Sequence, residues 1–349
     1  MQLKKPGATL GGRWRMARPL SLHRGAMMLA LWCALLANAT PLFAQQPVRT
    51  FRMGLLIPAS SQAPPAPSMT AFLKRLEELG YVEGRNLVVE RRFSEERPER
   101  FSELAADLVR TSPDVIVAVS TPAALAAKLA TQTIPIVMVY VGDPVGTGLI
   151  PTLGRPDGNV TGVSDMATDL SAKRVEMLRE AVPSLTRMAV LWNSADPGML
   201  LRAKEIERGA RVLGVSMEPW SARHPGEFDA AFDSITRSAP DALFVVAEIL
   251  TVTHRKRILD FAAARRLPAM YEFGLFARDG GLLAYGPDLL AGFRRGAEYV
   301  DRVLKGAKPS DLPVEQPSRV ALTVNLKTGK ALGLTIPQSV LIRADEVIQ

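Results

Sequence analysis

The polar residues of this sequence that suit chemistry stand directly behind short apolar runs. Ser60 lies in a Pro/Ser loop after the run 53–57, and Ser120 and Thr121 follow 115–119. Asp143 follows 136–141, Asn193 follows 188–192, and Glu248 follows 242–247. Tyr271 ends the run beginning at Pro268, and Tyr285 sits in the Gly-rich stretch 280–287. Hydroxyls, an amide, carboxylates and rings in this arrangement suit binding of a small polar molecule, with aromatic faces for its apolar part. Thr121 before Pro122 reads as an N-cap followed by a proline at a helix start, where free N–H groups and the helix dipole favour a carboxylate. Asp143 is an anion suited to a ligand ammonium. The plain alternatives are capping for Thr121 and core packing for the tyrosines.

Reaction chemistry finds little support. There is no Gly-x-x-x-x-Gly-Lys-Ser/Thr loop, no Gly-x-Gly-x-x-Gly after a strand and no Gly-x-Ser-x-Gly elbow. Beyond residue 44 the histidines are His224 and His254, far apart, and Cys33 is the sole cysteine. A mature chain without cysteine has no disulfide, thiol nucleophile or cysteine-ligated metal. The expectation is a binding protein without cofactor or metal, not an enzyme.

The elements that must position these residues alternate. Apolar runs rich in β-branched residues read as strands buried on both faces. Between them, 173–181, 197–213, 227–237, 254–266 and 289–305 carry helical periodicity. Such alternation implies parallel sheets with right-handed crossovers. The pattern is played twice, over 53–141 and 188–273, with crossing stretches at 154–166, 280–287 and 314–325. The fold class is therefore α/β, with two Rossmann-like lobes joined by a three-strand hinge. The expected partition is 50–162 plus 287–322 for the N-terminal lobe and 163–286 plus 323–349 for the C-terminal lobe. Ligands of open α/β sheets sit beyond the carboxyl ends of the strands, which places the residues above around one interlobe cleft.

Residues 1–44 read as a signal peptide. Lys4, Lys5, Arg13, Arg15, Arg18 and Arg24 precede an apolar run at 26–36, and small-residue exits follow at 37–39 and 42–44. The run falls short of the roughly 20 residues that span a bilayer. Trp32 before Cys33 argues against lipidation, so a soluble periplasmic protein is expected. Those six cations belong to 43 Lys/Arg against 35 Asp/Glu in the whole chain, so residues 45–349 carry a net charge of only +2. Nucleic-acid binding is not expected from so even a balance.

Several stretches, in order along the chain, resemble one family: LGYVEGRNL at 79–87, TPAALAAK at 121–128, IPIV at 134–137, GDPVG at 142–146, GNVTG at 158–162, RRLPAMY at 265–271 and ALGLTIP at 331–337. Together they are similar to the ABC-transporter substrate-binding proteins of the tryptophan/tyrosine type. The resemblance implies a type I periplasmic-binding-protein fold and a small solute, an aromatic or other amino acid, held by hinge closure. It also implies delivery to a membrane permease driven by an ATPase, with the binding protein a monomer. The positions it carries over are Ser120, Thr121, Asp143, Asn193 and Tyr285. A binding protein reporting to a membrane receptor is the alternative of the same fold. A secreted hydrolase is opposed by the missing nucleophile, and a DNA-binding repressor by the signal peptide.

Overall fold

A computed structural model describes residues 49–166 and 168–349; the segment read as a signal peptide lies outside them. The described strands form two sheets. The first comprises β1 (Phe51–Ile57), β2 (Leu87–Phe93), β3 (Val115–Val119), β4 (Ile136–Val141) and β5 (Val160–Ser164), ordered β2-β1-β3-β4-β5 and all parallel. Every residue of β3, β4 and β5 is buried, as their unbroken apolar character requires.

The second sheet holds β6 (Arg187–Trp192), β7 (Ser216–Ser221), β8 (Ala242–Val245), β9 (Ala269–Tyr271), β10 (Leu283–Pro287), β11 (Val320–Asn325) and β12 (Glu346–Ile348). Its order is β12-β11-β10-β9-β8-β6-β7, parallel except where β11 opposes β10. The pairing begins at Val320 with Pro287, so residues 320–322 sit in the second sheet, although the expected partition gave them to the first lobe. The reason is packing: Leu322 and Val324 are buried in the same apolar cluster as Leu283. Val163 and Ser164 likewise stay in the first sheet, paired with β4.

The helices follow the alternation. They are α1 (Pro67–Glu78), α2 (Phe101–Arg110), α3 (Thr121–Ala130), α4 (Ser171–Ala181), α5 (Pro197–Val212), α6 (Phe228–Ser238), α7 (Ile249–Thr253), α8 (Arg255–Ala264), α9 (Gly274–Arg278), α10 (Leu289–Leu304), α11 (Leu326–Leu332) and α12 (Gln338–Ile342). After β10 the chain returns to the first sheet, where α10 packs on α1 and β4. It leaves again near Glu315, which bridges to Val163, and ends in β11 and β12. One apolar cluster runs through both lobes, with Tyr140 of the first lobe touching Phe273 of the second at 5.6 Å between rings and Phe293 of α10 at 6.2 Å.

Gly162, inside β5, shows how close the strands must come. Its φ is +134°, and a methyl group there would stand 2.1 Å from the Met138 carbonyl oxygen. Both the torsion and the space exclude a side chain. Gly162→Ala is expected to destabilise the protein by more than about 3 kcal/mol, read as a lowered denaturation midpoint at constant m-value.

Candidate functional site

The first lobe presents strained residues with unsatisfied hydroxyls. Ser120 has φ +88° and Tyr140 φ +62°, conformations that cost about 1–3 kcal/mol each in a non-glycine residue. Both follow from the strand ends: the Ser120 N–H reaches back to the Val139 carbonyl at 3.1 Å while its own carbonyl starts α3. Thr121, expected to cap this helix, instead occupies its first turn; Ser120 stands at the cap position and makes no side-chain cap bond. The hydroxyls of Ser120, Thr121 and Tyr140 are all buried without a hydrogen-bond partner. An unpaired buried hydroxyl costs about 1–3 kcal/mol, so three together call for a role.

The second lobe presents carboxylates. Asp196 caps α5, its Oδ1 accepting from the Gly198 N–H at 2.8 Å. Glu248 caps α7, accepting from the Leu250 and Thr251 N–H groups at 2.9 Å each, while Thr251 Oγ1 accepts from the Glu248 N–H. Asn193 Oδ1 accepts from the Ala195 N–H at 2.9 Å. Asn193, Asp196 and Glu248 are buried. Burial pushes the Asp196 carboxyl up to about 6 and the Glu248 carboxyl up to about 7, against the opposing pull of their backbone donors.

Beneath these lies a fully buried ion network. Arg174 of α4 donates to Glu272 at 3.0 Å and to the Tyr285 carbonyl at 2.6 Å. Arg202 of α5 donates to Glu272 at 2.7 Å, to Asp165 at 2.6 Å and to the Ala247 carbonyl at 2.9 Å. Glu272 in turn accepts from the Ala247 N–H at 2.9 Å. Burial works against the Arg202 charge, but Asp165 and Glu272 outweigh it and hold the guanidinium above its ordinary range.

The lobes meet over this network. A methyl group on Gly198 would lie 2.8 Å from Thr121 Oγ1, 3.1 Å from the Gly142 carbonyl oxygen and 3.2 Å from Asp196 Oδ1. One on Gly142 would lie 2.7 Å from Arg202 Nη2. Nearer the surface, His254 of the second lobe bonds Glu96 of the first at 3.1 Å. Two clefts flank the junction. One of about 620 Å³ lies between the proline-rich loop 63–67 and Val252, Phe273 and Leu289; the other, of about 630 Å³, lies between residues 95–99 and Ala195 with residues 223–225.

Of the residues singled out in the sequence, Ser120, Thr121, Asn193 and Glu248 stand at this junction. Asp143 is half-buried and closes its own turn, Oδ1 accepting from the Gly146 N–H at 2.8 Å. Ser60 is half-buried in its loop, its Oγ accepting from the Gln62 N–H at 3.3 Å. Tyr285 is half-buried against the second-lobe core. Tyr271 is fully buried, its ring stacked on Phe276 at 4.8 Å, and its hydroxyl, like those of Ser120 and Thr121, has no hydrogen-bond partner. The sequence reading missed Tyr140 and the four partners Asp165, Arg174, Arg202 and Glu272. A lone charge in an apolar context, as Glu272 is between Tyr271 and Phe273, was the available signal.

With this geometry in view, known proteins can be compared. The sequence model of the family described as "ABC transporter substrate binding protein" matches residues 67–348. A tyrosine-binding protein of Clostridioides difficile (strain R20291) is 28% identical over 265 residues, 75% of each chain. The crystal structure of an ABC domain in complex with L-Trp from Streptococcus pneumoniae superposes with a TM-score of 0.75 at 27% identity, covering 86% of this chain and all of that one. A conserved domain protein from Vibrio cholerae gives a TM-score of 0.78 at 26% identity with the same coverage.

Removing one partner of a buried network leaves an uncompensated charge, so Arg202→Met is expected to lower stability by about 3–5 kcal/mol in denaturant titrations. A second expectation concerns pH. Because the folded-state pKa values of Asp196 and Glu248 lie above the ordinary 3.8 and 4.5, the folded protein holds protons that the unfolded chain releases. The stability they contribute is full below about pH 4 and is lost as pH rises through about 6 and 7. The ligand-free protein should therefore lose stability between pH 5 and 8, and Glu248→Gln should lose less over the same interval.

Proposed function

This chain belongs to the ABC transporter substrate-binding proteins, a class that binds small molecules and works with ABC permeases, and on that premise we propose that it captures an amino acid with an aromatic side chain. The observation that carries the reading is the opposition of three partnerless buried hydroxyls on one lobe to buried carboxylates on the other. An α-amino acid brings one acceptor-rich and one donor-rich group a few ångströms apart. Its carboxylate is received at the start of α3, where the helix dipole favours an anion and the Ser120 and Thr121 hydroxyls are free to donate. The rings of Tyr140 and Phe273 offer an apolar wall for its side chain. The relatives support the aromatic class, one being a tyrosine-binding protein and one a tryptophan complex.

No bond is made or broken in this function. The ligand touches both lobes only when they are closed, so it stabilises the closed form by its differential affinity for that form. The closed form is what the permease receives. The basic and apolar segment at 1–44 supports export to the periplasm without a lipid anchor, and the protein there serves, as a monomer, a permease and its ATPase.

Thermal unfolding of the purified protein against the proteinogenic amino acids tests the reading. Tryptophan or tyrosine at a hundredfold excess over Kd is expected to add about 2.7 kcal/mol to stability. Thr121→Ala removes a hydrogen bond to a charged group and should weaken binding at least tenfold, the equivalent of about 1.5–3 kcal/mol. A protein whose unfolding no amino acid shifts does not have this function.

A further inference from the structure

The chain passes between the lobes at one edge of the first sheet. Ser164 and Asp165 lead out of β5, Glu315 bridges Val163 of the same strand, and Pro287, Asp288 and Pro317 stand beside them around Tyr140. In the order β2-β1-β3-β4-β5 the strand farthest from these crossings is β2. Four strand spacings separate the two edges, about 19 Å. Rotation about the crossings displaces the β2 edge most. The cleft of about 630 Å³ between residues 95–99 and Ala195 with residues 223–225 is therefore the mouth of the interlobe space.

The loop after β2 places a carboxylate across that mouth. Glu95 and Glu96 have φ +54° and +58°, a left-handed backbone that a glutamate rarely adopts. The strained turn is braced on the end of β1: the Ser94 N–H donates to the Ile57 carbonyl at 2.9 Å and the Glu96 N–H to the Pro58 carbonyl at 3.0 Å. The two carboxylates then part. Glu95 turns back into its own lobe and accepts from the Ser61 N–H at 3.0 Å. Glu96 reaches the second lobe, its oxygens 3.1 and 3.2 Å from His254 Nε2.

His254 is held as firmly. Its ring lies 5.7 Å from the Phe228 ring of α6, and its N–H donates to the Leu250 carbonyl at 3.0 Å. The cations next to it in sequence are engaged elsewhere, Arg255 with Asp279 at 2.7 Å and Arg257 with Asp229. Glu248 caps the start of α7 and His254 ends it, so five residues connect the junction to the mouth.

We propose that Glu96 and His254 form a clasp across the mouth of the cleft, which holds the lobes together far from their crossings and slows the release of captured solute. Control of release rests on the capture function above; the clasp itself needs no ligand. A contact made only while the lobes are together stabilises that arrangement, and its loss raises the share of molecules with the mouth open.

Pulsed electron–electron double resonance on the ligand-free protein tests this, with nitroxides at Ser102→Cys and Ala230→Cys in a Cys33→Ser background. Both positions are exposed, on helices α2 and α6 that start beside the mouth. Glu96→Asn and His254→Phe should each raise the long-distance population by about twofold or more. The double variant should go no further than the single ones, because both remove the same contact. Asparagine tolerates the left-handed backbone, and phenylalanine keeps a ring against Phe228. If one variant does not fold, the other decides. Release of preloaded L-tryptophan or L-tyrosine, followed by stopped flow, should quicken by the same factor. Distances that match those of the unsubstituted protein, or effects that multiply in the double variant, overturn the clasp. Shifted distances with unchanged release overturn its control of release. A protein that binds neither amino acid, yet whose distances shift, overturns the amino-acid reading and leaves the clasp standing.

Discussion

Arg202 sits where three parts of the chain must agree. Its guanidinium bonds Asp165, which ends the first pass of the chain through lobe one, and Glu272, which directly follows β9. It also bonds the Ala247 carbonyl, directly before Glu248. With Glu272 accepting from the Ala247 N–H, the end of β8 is clamped by both its donor and its acceptor. A buried ion pair of this kind contributes little net stability compared with an apolar core, because desolvation takes back most of the attraction. What it supplies is position. Arg's planar fork satisfies several acceptors at fixed angles, so the carboxylate of Glu248 and the crossing at Asp165 are set together.

The two lobes bring different polar groups to the junction. The first lobe offers neutral donors, hydroxyls and helix N–H groups, whose cost when unpaired is moderate. The second offers buried carboxylates, whose cost when unpaired is larger. At the junction neither set is satisfied from within the protein: the hydroxyls have no partner and the two carboxylates have no counter-ion among the described residues. The contact between the lobes is thus stabilised by apolar packing through Tyr140, Phe273 and Phe293 and opposed by its own polar groups. A ligand that removes the opposition shifts the balance, which is the requirement for closure to report occupancy.

The sequence made the frame legible because its signals were strong and local. Buried parallel strands read as unbroken β-branched runs, and β3 and β4 begin and end where those runs do. The junction was legible only in part. Polar residues behind apolar runs pointed to strand ends, which is why Ser120, Thr121, Asn193 and Glu248 were found. Direction and torsion were not legible. Tyr271 lies one residue away from Glu272 and faces the opposite side of β9, a difference no composition records. Thr121-Pro122 has the form of a cap, yet the positive φ of Ser120 moves the helix start by one residue and leaves both hydroxyls free.

The missing partners explain themselves by the same physics. Arg174 and Arg202 lie on amphipathic helices where arginine ordinarily faces water, and only the burial of Glu272 against them reveals that these two do not. Glu272 has no partner near it in sequence: its cations stand 98 and 70 residues earlier. Pairing at that separation is a property of the folded topology, because α4 and α5 cover one face of the sheet whose strand end carries Glu272. A charge-balanced composition therefore conceals a local imbalance. The chain is nearly neutral beyond residue 44, yet among the described residues its interior holds four carboxylates to two guanidiniums, gathered at the junction between the lobes. Composition averages over the whole chain, so it carries no trace of that local excess.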